Sequence, residues 1–140
     1  MQQYKEITSI DYVIQRTKCR CNACDSEFLE YTPLNYELVC FIDASGEKYF
    51  LPTYGEYGYL YLLEKIVEDW KPSERITMGV IKKFEEKLVE ITPHSVSLFQ
   101  KIKCPACSKG DIMVLERIPI KNYPVNWMKI DIEKVQFLKS

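Results

Sequence analysis

A chain of 140 residues with 46% hydrophobic and 28% charged side chains and a net charge of −1 has the size of one globular domain, 1–140, and too many apolar residues to be disordered. Apolar runs such as Tyr59–Leu63 fall far short of the roughly 20 residues a membrane helix needs. The near-neutral balance, with a pI of 5.9, excludes the strongly basic footprint of a general nucleic-acid binder. The N-terminal MQQYKEITSIDYVIQ offers no apolar stretch with a cleavage site, so a cytoplasmic chain is expected.

In chain order, alternating residues predict strands over 12–18 and 27–31, on either side of a first cysteine cluster. Residues 36–42 and 47–51 flank the turn-forming Asp43-Ala-Ser-Gly46 and predict a hairpin. The Tyr- and Gly-rich stretch 52–61 follows. A wide apolar stripe through Leu60, Leu63, Val67 and Trp70, joined by Leu62 and Ile66, then predicts a helix that Lys71-Pro72 ends. A second helix starts near Thr77, with Met78, Ile81, Phe84, Leu88 and Ile91 at gaps of three and four, and Pro93 closes it. Strands are expected over 95–102 and 112–118, around a second cysteine cluster. The segments 126–130 and 134–138 read equally as short strands or as a terminal helix. The expected fold is α+β, with hairpins carrying two helices on one face of an antiparallel sheet.

Six cysteines stand beside one histidine in this chain. Cys21-Asn-Ala-Cys24 and Cys104-Pro-Ala-Cys107 share the two-residue gap that aims both thiolates of a tight turn at one ion, and two such turns supply the sulfur tetrahedron that structural zinc prefers. Gly110, three residues after Cys107, is free to take positive φ and return the chain to a strand. Disulfides would need an oxidising compartment. A redox dithiol at Cys104-Pro-Ala-Cys107 would need a helix start, which Gly110 and the β-like 112–115 argue against. Burial as a free thiol suits Cys40 in its apolar run but not the paired cysteines.

Cys21-x-x-Cys24 with Phe28 after it, and Cys104-Pro-x-Cys107-x-x-Gly110, resemble the knuckles of the zinc ribbon, or rubredoxin-type, family. The resemblance covers 12–31 and 97–119. It implies two knuckles at hairpin tips, with Cys21, Cys24, Cys104 and Cys107 as ligands of one structural Zn²⁺. The departure is the gap of 80 positions from Cys24 to Cys104, which splits the ribbon with an α/β insertion over 32–96. Cys19 is an alternative ligand or a spare thiol on the other face of its strand. A four-thiolate site would accept zinc or iron.

Catalysis finds little support. The lone His94 follows Pro93 at a helix end, where capping or surface roles are usual, and a thiol in an apolar strand makes Cys40 a poor nucleophile. No phosphate-binding Gly loop, G-x-S-x-G or His-Glu-x-x-His is present. The expected function is therefore non-enzymatic: a small intracellular zinc protein that binds another protein as regulator, adaptor or inhibitor. Size and type suggest a bacterial immunity protein as one form. Glu56 and Tyr57, in the Tyr-rich stretch, are expected to be exposed and are candidates for a partner surface. The alternative is a nucleic-acid-binding ribbon involved in transcription, using Lys18, Arg20, Lys101, Lys103 and Lys109 around the knuckles.

Overall fold

The computed structural model describes residues 4–5, 11–109 and 111–137. The elements are β1 (Tyr4–Lys5), β2 (Val13–Cys21), β3 (Glu27–Pro33), β4 (Leu38–Asp43), β5 (Lys48–Pro52), α1 (Tyr59–Ile66), α2 (Met78–Leu88), β6 (Val96–Leu98), β7 (Ile112–Lys121), β8 (Ile130–Asp131) and α3 (Ile132–Phe137). The chain is α+β and forms two compact units. One comprises Met1–Ile10, Glu37–Phe99 and Val125–Ser140, and the other Asp11–Tyr36 and Gln100–Pro124.

The unit built around Glu37–Phe99 holds an antiparallel sheet in the order β5-β4-β6. Phe41, fully buried on β4, meets Tyr59 of α1 and Phe84 of α2, each at 6.0 Å between ring centroids. Both helices thus reach the sheet through the apolar stripes legible in the sequence. Gly58 opens α1 because no side chain fits there: a Cβ would lie 2.6 Å from the Tyr54 carbonyl oxygen and 2.8 Å from that of Pro52. The helix stops at Ile66, earlier than the stripe suggests, since Val67 turns extended and Trp70 enters the core from the following turn. There the indole Nε1–H donates to the Arg75 carbonyl at 3.2 Å. Thr77 caps α2, its Oγ1 accepting the Val80 N–H at 3.2 Å, a contact worth about 1 kcal/mol. Met78, expected on the buried stripe, is exposed, and Phe84, Leu88 and Ile91 carry the packing.

Two further expectations change. Residues 95–102 do not pair with 112–118: Val96–Leu98 joins β4, and the Leu98 N–H donates to the Glu85 carboxylate at 2.6 Å. At the C-terminal end the alternatives are both realised. Asn126–Met128 runs beside β5, where the Phe50 N–H donates to the Asn126 carbonyl and the Met128 N–H to the Phe50 carbonyl; β8 and α3 follow.

The second unit is a sheet in the order β3-β2-β7, with both pairings antiparallel. β2 is the central strand, and its partner on one side is β3, as expected for the first hairpin. On the other side the partner is β7, in a register that slips between Lys18 and Cys19. Lys18 faces Glu116 while Cys19 faces Val114, so Leu115 is the additional residue of a bulge. Tyr31 of β3 stacks on Tyr123 at 4.7 Å with an interplanar angle of 10°.

Candidate metal centre

Each Cys-x-x-Cys folds by the same backbone device. The Asp25 N–H donates to the Cys21 carbonyl at 2.9 Å, and the Ser108 N–H to the Cys104 carbonyl at 2.9 Å. Asp25 and Ser108, each one residue past its second cysteine, are left-handed, with φ of 61° and 56°. Left-handed backbone right after the turn reverses the chain and brings both sulfurs of the turn to one side. Gly110, to which the sequence assigns a positive φ after this knuckle, lies outside the described residues. Neither Asp25 nor Ser108 stands out in the sequence by residue type; the signal for them is their matching position after each pair.

The Sγ atoms of Cys21, Cys24, Cys104 and Cys107 all lie within 4.8 Å of one another. Two pairs across the knuckles touch, Cys21 with Cys107 at 3.5 Å and Cys24 with Cys104 at 3.6 Å. Four sulfurs at zinc–sulfur bond length around one ion are about 3.8 Å apart, so the spacing fits a tetrahedral ion of that size. The group contains no carboxylate and no imidazole.

Their protonation shows why a cation suits them. Cys24 is pushed down to about 6, first by its hydrogen bond with the Ser26 hydroxyl, 3.2 Å away, and then by the Ser26 backbone. For Cys107 the Lys109 backbone favours the thiolate, but burial and the thiols of Cys21, Cys24 and Cys104 outweigh it and push the group up to about 12. Four thiolates in mutual contact repel, and a divalent ion relieves that repulsion and takes up the displaced protons' charge. The Cys21 and Cys107 thiols donate to the Lys109 carbonyl at 3.1 and 3.3 Å, while the Lys109 N–H reaches the Cys107 Sγ at 3.4 Å. Deprotonation would free that carbonyl and leave the N–H as a donor to sulfur.

The remaining cysteines stand elsewhere. Cys19, fully buried, is outside the four-sulfur group, and its Sγ lies 3.8 Å from the Thr17 carbonyl. Cys40 is buried on β4, its thiol 3.8 Å from the Phe41 carbonyl, and burial pushes it up to about 12. His94 stacks on Tyr49 at 3.9 Å, and its buried Nε2 has no hydrogen-bond partner among the described residues. It forms one wall of a cleft of about 420 Å³ with Tyr49, Asn126, Trp127 and Lys129.

Of the two candidate partner residues, Glu56 is exposed, but Tyr57 is buried at 6% exposure. The expectation for Tyr57 is thus corrected. Its own φ of 62° places its ring against Tyr61, with centroids 5.1 Å apart, and the Gln136 amide donates to its hydroxyl at 3.4 Å. The cations Lys18, Arg20, Lys101, Lys103 and Lys109 all belong to the unit that holds the four cysteines. Lys18 and Arg20 share Glu27 at 3.7 and 3.5 Å, which offsets part of their charge.

Fold and site together define a small α+β protein with a candidate four-cysteine metal centre, consistent with a pair of zinc-ribbon-like knuckles. Comparison with known proteins gave no match, whether to a protein-family model, a curated protein or a solved structure.

Proposed function

We propose that this is a non-enzymatic intracellular protein that acts by binding another protein, with one zinc ion as a structural clip in the Cys₄ site. The observation that carries the reading is the closed donor set, four sulfurs within 4.8 Å of one another with no other ligand type among them. Cys21, Cys24, Cys104 and Cys107 would hold the ion. A four-thiolate zinc keeps no open position for substrate, so it would contribute fold stability, on the order of 10–16 kcal/mol of apparent binding free energy.

Protein contact is supported by apolar side chains left in the open on the β3-β2-β7 sheet. Leu29 is 50% exposed on β3 and Met113 47% on β7, where Val114 and Leu115 follow it along the strand and are also exposed. Exposed apolar residues grouped on one sheet are a common mark of a protein-binding surface.

A nucleic-acid role is the second reading, favoured by the five cations gathered in the same unit. That unit carries eight basic and six acidic side chains, a weak excess for holding a polyanion. Titration with DNA and RNA at two salt concentrations separates the readings. Absence of binding, together with a stoichiometric protein partner recovered by pull-down and lost in Leu29→Glu, supports the proposal. Micromolar, steeply salt-dependent nucleic-acid binding overturns it.

A further inference from the structure

We propose that the four clustered thiols are an oxidation site with a defined product: a peroxide joins Cys24 to Cys104 and Cys21 to Cys107, tying the knuckles to each other and neither knuckle to itself. The inference rests on the four-cysteine reading of the site and adds which thiol meets which.

Contact and exposure point the same way. Of the four cross-knuckle pairs, the two in hydrogen-bonding contact are Cys21 with Cys107 at 3.5 Å and Cys24 with Cys104 at 3.6 Å. Each joins an accessible sulfur to a hidden one. Cys24 is exposed and Cys104 is 2% exposed, while Cys107 is half-buried and Cys21 is fully buried. A small oxidant therefore meets Cys24 or Cys107 first, and the thiol already in contact is the buried one across the site. That partner needs no backbone opening to reach the oxidised sulfur. Cys19 and Cys40 are buried, outside the group, against the Thr17 and Phe41 carbonyls.

The chemistry balances with hydrogen peroxide as the two-electron oxidant. The Cys24 sulfur attacks one peroxide oxygen, the O–O bond breaks, and water leaves to give the sulfenic acid. The Cys104 sulfur then attacks the Cys24 sulfur. The S–O bond breaks, and hydroxide departs with the Cys104 proton as a second water. A second peroxide does the same at Cys107 and Cys21, so four thiols and two peroxides give two disulfides and four waters; where zinc holds the four as thiolates, the same two peroxides would leave four hydroxides and the ion would depart as Zn²⁺. The cross-links span 80 and 86 positions of chain, so they hold the two arms of this unit together without an ion.

The test uses the full chain, loaded with zinc and assayed for metal before exposure to hydrogen peroxide, alkylation and non-reducing peptide mapping. Six titratable thiols fall to two, Cys19 and Cys40, and the peptides containing Cys21 and Cys24 appear linked to those containing Cys104 and Cys107. In Cys24→Ser, one bond remains, Cys21 to Cys107, and Cys104 stays alkylatable. Disulfides within each pair, Cys21 to Cys24 and Cys104 to Cys107, overturn the proposal, as does capture of Cys19 or a bonded Cys104 in Cys24→Ser. A chain that binds metal but gives within-knuckle bonds defeats this inference alone. A chain that binds no metal yet gives the cross-knuckle map supports the pairing and defeats the metal reading.

Discussion

Asp25 and Ser108 occupy the same left-handed conformation, with φ of 61° and 56°, each one residue past the second cysteine of its knuckle. Each also returns its N–H to the carbonyl of the first cysteine at 2.9 Å. Two stretches with different sequences, Asn-Ala and Pro-Ala between the cysteines, therefore present their sulfurs by one backbone solution.

That solution costs conformational energy in any residue with a Cβ, roughly 1–2 kcal/mol. Ser108→Gly removes the cost and offsets it against greater freedom of the unfolded chain, so in urea titrations it should leave the unfolding free energy unchanged or raised by up to about 1 kcal/mol. Ser108→Val, β-branched and poorly tolerated at positive φ, should lower stability by at least about 1 kcal/mol and weaken metal retention. Equal effects of the two substitutions would contradict the left-handed assignment.

Gly58 predicts the opposite behaviour. Its backbone needs no positive φ, yet an added Cβ would meet two carbonyl oxygens under 3.0 Å away. Gly58→Ala should destabilise by about 1–3 kcal/mol, although alanine is the better helix former. A thermal melt that shows stabilisation would mean that Tyr54 and Pro52 do not crowd the start of α1.

His94 gives a pH dependence. Burial holds its pKa below the ordinary value of 6.5, with Lys129 acting in the same direction and Asp43 opposing. The unfolded chain therefore binds the proton first as pH falls, and stability declines from about pH 6.5 downward while it stays flat above. His94→Gln should flatten that decline relative to the parent chain in denaturant titrations at pH 7.5, 6.5 and 5.5. An unchanged pH slope in the variant would show that His94 has no part in it.

The cation pair at Glu27 offers a check on the charge of the cysteine-bearing unit. Lys18 and Arg20 are both partly exposed and both lean on that carboxylate, so Glu27→Gln should change stability by no more than about 1 kcal/mol. The same substitution should raise salt-sensitive retention on a polyanion column, since two cations lose their partner. Unchanged retention would indicate that Lys18 and Arg20 do not face solvent together.

The legible parts of this molecule are those set by local spacing. The Cys-x-x-Cys gaps located the four sulfurs, Thr77 marked the start of α2, and Asp43–Gly46 marked the β4–β5 turn. What the sequence concealed depends on distant partners. Val96–Leu98 alternates like a ribbon strand, but its place is set by β4 and Glu85, far from Ile112 in the chain. Tyr57 lies ahead of the apolar stripe and so reads as exposed, yet its left-handed backbone turns the ring inward. Cys19 is two positions from Cys21 on β2, a spacing that reads as a shared strand face, and only the clustering of the other four sulfurs shows that its own stays outside the group.

Native mass spectrometry of the zinc-supplemented chain and two variants tests the central claim most directly. The account predicts one metal ion per chain, kept in Cys19→Ser and lost in Cys104→Ser. Metal retained at full occupancy in Cys104→Ser, or lost in Cys19→Ser, would contradict it.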